Sequence, residues 1–153
     1  MRRARTSVPK RHESDAKRTG RRYAWDVRAL AAWLPAIVIA AIIFTLSAQP
    51  NLRVTEGLTD LVLRKLAHLA VFGLLAAGGV RGLTFHGLAG RAALVGAAAI
   101  ATAYAVSDEF HQTFVTGRSG SPIDVAIDVV GIIAALAVIA ANPRLRARIV
   151  VPA

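Results

Sequence analysis

The chain has 153 residues, 55% of them hydrophobic, with a net charge of +10 and a mean hydropathy of +0.51. That length suits one compact unit rather than two large domains, and the hydropathy lies above the usual range for soluble proteins. No cysteine is present, which excludes disulfides and thiolate chemistry.

Residues 1–28 carry ten Lys or Arg against three acids. The segment is mostly aperiodic and poor in apolar residues, so it reads as a disordered basic tail. Such a tail can hold to anionic lipid headgroups. It lacks the aromatic interleaving of a nucleic-acid readout surface, so no nucleic-acid partner is expected.

Four apolar segments follow, at about Ala29–Leu46, Leu66–Val80, Ala92–Val106 and Val125–Ala141. A helix needs about 20 mostly apolar residues to cross a bilayer core, and the first, third and fourth segments approach that unaided. No alternating barrel pattern occurs, so the spanning elements are helices. Trp25 and Trp33 flank the start of the first span, Pro35 sits in its first turns, and Gln49-Pro50-Asn51 ends it. Leu52–Arg64 reads as an outer loop, with a helix starting at Thr59 or Asp60 and running into the second span. That span would start near Leu61, drawing Lys65 and His68 one to two turns inside, and Gly78, Gly79 and Gly82 would close it. The third span is rich in Ala and Gly, which suits close helix packing in lipid. It is expected to run to Val115, with Gly117 as its stop. Ser121-Pro122-Ile123-Asp124 reads as the start of the fourth span. Ser121 would be the N-cap, Pro122 the first helical residue and Asp124 the acid of a capping box.

The predicted fold is therefore an all-α, four-helix antiparallel membrane bundle. Residues 1–28 form a basic tail, 29–142 the bundle, and 143–153 a second basic tail. Of the 19 Lys and Arg, 15 lie in the tails or flank the middle loop as Arg81 and Arg91. By the positive-inside rule, both termini face the cytoplasm.

Every polar interruption then falls at the outer end of its span. Ser47 and Gln49 close the first, Lys65 and His68 open the second, Asp108, Glu109, His111 and Gln112 close the third, and Asp124 and Asp128 open the fourth. Ionisable groups within a span are costly, so their convergence marks a site. Lys65, His68 and Phe72 share one helix face, as do Glu109 and Gln112, and as do Asp124, Asp128 and Gly131. Bland readings compete: Lys65 as an interface lysine that snorkels to water, His68 as a satisfied histidine bonded to a neighbouring helix, Asp108 and Glu109 as a solvated helix exit, and Asp124 as a simple cap. Asp128 lies one turn deeper and needs a partner, for which Arg118 or Lys65 is the natural counter-ion. The candidate binding set is Lys65, His68, Glu109, Gln112, Arg118, Asp124 and Asp128. General acid/base chemistry would fall to His68 with Glu109 or Asp128. A metal would take His68, Glu109 and Asp128. With no HExxH and no paired His-x-x-x-His, neither metal nor cofactor is expected.

At these residues the chain resembles the VanZ-like family. Lys65, His68 and Phe72 match its K-x-x-H-x-x-x-aromatic pattern. Asp108, Glu109, Gln112, Phe114, Arg118, Asp124 and Gly131 match D-E-x-x-Q-x-F, then Arg, then D-x-x-x-N-x-x-G. Asp128 departs from the pattern, which has Asn there. The resemblance covers about Trp33–Ala141. It implies a small integral protein of the bacterial cell membrane. The namesake is associated with low-level resistance to teicoplanin, a lipid-bearing glycopeptide acting at the outer face. The resemblance implies no particular reaction. The leading expectation is an outer-face site for a lipid-linked or amphiphilic envelope molecule, with membrane lipids as partners. The alternatives are a membrane-embedded hydrolase or transferase using His68 and Glu109, or a structural polar network with no ligand.

Overall fold

A computed structural model describes residues 10–50 and 57–151, with side chains placed outside 10–24, 57, 60 and 61. Among these described residues, five helices follow in order: α1 Lys10–Ser47, α2 Gly57–Phe85, α3 Gly90–Gln112, α4 Pro122–Ala141 and α5 Pro143–Ile149. Within the first four, Trp25–Ser47, Val62–Phe85, Gly90–Gln112 and Pro122–Ala141 are each long and apolar enough to cross a membrane. The expected all-α four-span bundle is what the chain forms.

Several boundaries differ from the sequence reading. Helix α1 starts at Lys10, so residues 10–28 continue the first span as helix instead of forming an irregular tail. No proline interrupts the run between Pro9 and Pro35, and its Ala, Arg, Lys and Glu residues propagate a helix well once a span has nucleated it. Residues 1–9 of the tail, and most of the loop after α1, lie outside the described residues. Helix α3 ends at Gln112, short of Val115. Beyond it Thr113, Phe114 and Val115 donate backbone N–H bonds three residues back, tightening the chain into turns. Gly117 then adopts φ 80°, a left-handed conformation that favours glycine. Asn142 caps a short fifth helix by accepting the Leu145 N–H at 3.1 Å. Leu145 and Ile149 of this helix pack back onto the core, so residues 143–149 are not a simple tail.

Helix packing rests on small residues. Hydrocarbon tails are as apolar as Leu, so close van der Waals fit, rather than apolar burial, holds spans together. Glycines 78 and 82 do not close α2, which runs on to Phe85. They let α1 approach it: a Cβ on Gly78 would lie 2.8 Å from the Ala36 backbone nitrogen, and one on Gly82 only 2.3 Å from the Trp33 ring. The tightest approach joins α2 to α4. A Cβ on Gly131 would lie 2.1 Å from the Leu69 carbonyl oxygen, and one on Gly73 would lie 3.0 Å from that of Gly131. Helix α3 contributes the buried row Ala93, Ala97, Ala101 and Ala105. Its Tyr104 hydroxyl donates to the Ala40 carbonyl of α1 at 2.7 Å. Phe72 and Ile132 fill the space between these helices, while residues such as Leu34, Ile37, Leu74, Val95 and Ile133 face outward.

Candidate functional site

The α2–α4 crossing decides what meets at the polar end. Leu69, against which Gly131 packs, is the neighbour of His68, and Gly131 lies three residues after Asp128. The approach therefore sets His68 against Asp128, with Nδ1 and Oδ1 3.3 Å apart. Asp128 is fully buried. One turn toward the end of the bundle, Lys65 and Asp124 form a half-exposed ion pair.

Helix α3 supplies the opposite wall. Its alanine row continues into Asp108, Glu109 and Gln112, all buried. The Gln112 amide donates to Asp108 Oδ2 at 3.1 Å and to Glu109 Oε1 at 3.0 Å. Ser47, the last residue of α1, donates to Asp108 Oδ2 at 2.9 Å. Glu109 Oε2 accepts the Ser121 backbone N–H at 2.8 Å. Arg118 donates through Nη1 to Gln112 Oε1 at 3.3 Å, and through Nε and Nη2 to the carbonyls of Gln49 and Leu46, each at 3.2 Å.

A polar and an apolar cavity lie side by side on this assembly. The polar one, of about 200 Å³, is lined by Lys65, His68, Glu109, Gln112, Arg118 and Asp124, together with Arg64. The apolar one, of about 430 Å³, lies between α1 and α2, with Ile42, Ile43, Leu46, Leu63, Ala67 and Val71 in its wall. Arg64, His68 and Arg118 line both.

The chain that builds this site matches a known family. The VanZ/LLP1 family model covers residues 12–142. The chain belongs to the VanZ/LLP1 family. No curated protein and no solved structure matches it.

In this VanZ/LLP1 bundle, six of the seven predicted binding residues line the polar cavity, and Asp128 lies behind His68. Their partners differ from expectation in three places. Arg118 is not the counter-ion of Asp128; its guanidinium bonds the Leu46 carbonyl in the last turn of α1 and the Gln49 carbonyl just beyond that helix. Asp124 is not a capping-box acid. It pairs with Lys65, and Glu109 of α3 takes the Ser121 N–H that a capping box would have used. Asp108 is not a solvated exit. It is buried and ties α1 to α3 through Ser47 and Gln112. The sequence reading also missed Arg64 as a wall of both cavities. Its only sequence signal was its place beside Lys65 at the start of a span.

Proposed function

We propose that the polar end of the bundle binds the headgroup of a lipid-linked or otherwise amphiphilic envelope molecule, at the outer face of a bacterial cell membrane. One observation carries this reading: a polar cavity and an apolar one share a wall at Arg64, His68 and Arg118. An amphiphile needs that pairing. Its anionic head would lie among Lys65, Arg64 and Arg118, and its chain would run along Leu63, Ala67 and Val71. Guanidinium groups suit phosphate and carboxylate oxygens because their donors are paired in a plane. A lipoglycopeptide antibiotic of the teicoplanin type is one member of this ligand class, since it also carries an acyl chain. The outward orientation rests on the cation asymmetry of the chain.

The test is native mass spectrometry of the protein extracted from its own membranes, with the variants Ala67→Trp and Ala70→Trp. Both positions are exposed on α2, but only Ala67 lines the apolar cavity. The wild type and Ala70→Trp should carry a bound anionic amphiphile that Ala67→Trp has lost. Identical bound species in all three would overturn the reading.

A further inference from the structure

The buried pair beneath the polar cavity is incomplete as a pair. His68 Nδ1 and Asp128 Oδ1 lie 3.3 Å apart but are not aligned as a hydrogen bond. Among the described residues, His68 Nδ1 and both Asp128 carboxylate oxygens are buried with no hydrogen-bond partner. An unpartnered carboxylate inside a span is expensive, and most buried polar side-chain atoms have partners. Lys65 is engaged by Asp124, and Arg118 by carbonyls and Gln112. Asp128 therefore sits deep in the bundle with two open oxygens and an imidazole nitrogen beside it.

Glu109 completes the geometry. One potential ligand atom from each of His68, Glu109 and Asp128 falls within 4.8 Å of the other two. We infer that His68, Glu109 and Asp128 form a site for a divalent transition cation such as Zn²⁺. Ligand atoms about 2.0–2.2 Å from a tetrahedral zinc are roughly 3.5 Å from one another, so small side-chain rotations would close the site. One nitrogen and two carboxylates make a donor set suited to zinc, manganese or ferrous iron. A cation would neutralise two carboxylates that burial otherwise penalises.

The supporting contacts also fit a metal site. Ligating carboxylates are usually held by hydrogen bonds of their own, and Glu109 is held by Gln112 and the Ser121 N–H. Three protein ligands leave a fourth position open, as in catalytic zinc sites. Here it faces the polar cavity, which His68 and Glu109 line. The absence of a short sequence motif has a simple cause: the three ligands come from α2, α3 and α4, and only the packing of those helices brings them together. The ion site does not depend on what the cavity binds.

Co²⁺ and Zn²⁺ are the probes. Full-length protein with a histidine-free tag is stripped with chelator in detergent and titrated with Co²⁺ while visible absorption is recorded. Zn²⁺ is then added and the bound metal counted. The wild type should take up one Co²⁺ per chain, with the d–d bands of a nitrogen–oxygen site, and release it to Zn²⁺. His68→Ala and Asp128→Asn should abolish both signals, with Glu109→Gln standing in for either variant that does not purify as a folded protein. Gln112→Ala, which loosens Glu109 without removing a ligand, should weaken binding by about tenfold. Ala67→Trp and His111→Ala should bind like the wild type. Less than one ion per chain in the wild type, or equal uptake by the ligand variants, would overturn the site. Because Ala67→Trp blocks the apolar cavity and spares the ligands, failure of the amphiphile reading would be seen separately.

Discussion

Arg118 and Glu109 both lie at the polar end, yet their substitution should have unequal consequences for stability. Arg118 donates to three acceptors: Gln112 on α3, the Leu46 carbonyl in the last turn of α1 and the Gln49 carbonyl just beyond it. A lysine keeps the charge but cannot span all three, because its donors radiate from one nitrogen. Interhelical hydrogen bonds in membrane proteins average about 0.6 kcal/mol, so losing two should lower stability by about 1 kcal/mol. Glu109→Gln leaves an oxygen for the Ser121 N–H and keeps the side chain's shape. Its stability change should stay below about 0.5 kcal/mol. Unfolding in mixed detergent, followed by the fluorescence of Trp25 and Trp33, measures both. A larger loss for Glu109→Gln than for Arg118→Lys would show that the acid is a packing device. In that case the structural-network reading would gain over the ligand-binding one.

At the scale of the helices, the α2–α4 crossing is the joint on which the site depends. Gly131 allows the Leu69 carbonyl to approach to a distance that a Cβ would forbid. Gly131→Ala must therefore push α4 from α2, and overpacking of this kind costs about 1–3 kcal/mol. The same displacement draws Asp128 away from His68. A lipid-facing change of comparable size, Ala137→Val, should cost less than about 0.5 kcal/mol, since Ala137 is exposed. If Gly131→Ala melts like the wild type, the close approach is not what holds the two helices together. The opposite end of the bundle has its own closure. Trp25 packs against Phe85 and His86 at 5.7 and 5.5 Å, and the Val151 N–H donates to Thr84 Oγ1 at 3.3 Å. These contacts fix the helix ends away from the site.

Across the whole molecule, charge and polarity are arranged along one axis. The ionisable cluster gathers at one end of the four spans, while Arg81, Arg91, Arg144, Arg146 and Arg148 lie at the other end, as does the extension of α1. Lys and Arg near span ends favour the cytoplasmic side. The chain contains no cysteine, so single cysteines report topology cleanly. In intact cells, Ser119→Cys should react with a membrane-impermeant maleimide, and Ser7→Cys should react only after permeabilisation. The reverse pattern would move the site to the cytoplasmic face and remove the proposed access to outer-leaflet ligands.

Hydropathy and helical periodicity determined the four spans, their α-helical nature and the gathering of polar residues at one end, because each is a local property of the chain. Spacing alone placed Lys65 with His68, and Asp124 with Asp128, on common faces. The physical cost of a carboxylate inside a span singled out Asp128. Tertiary structure decided which of these groups pair. That Asp128 meets His68, that Lys65 takes Asp124, and that Arg118 serves the end of α1 depend on distances between helices, which Gly73 and Gly131 set by removing side chains at a crossing. Helical periodicity gives the direction of a side chain about its own axis, but not how close the neighbouring axis lies. The sequence named His68, Glu109 and Asp128 as the set a metal would take, but three residues on three helices leave no spacing from which their approach could be read, so their meeting was left to the packing.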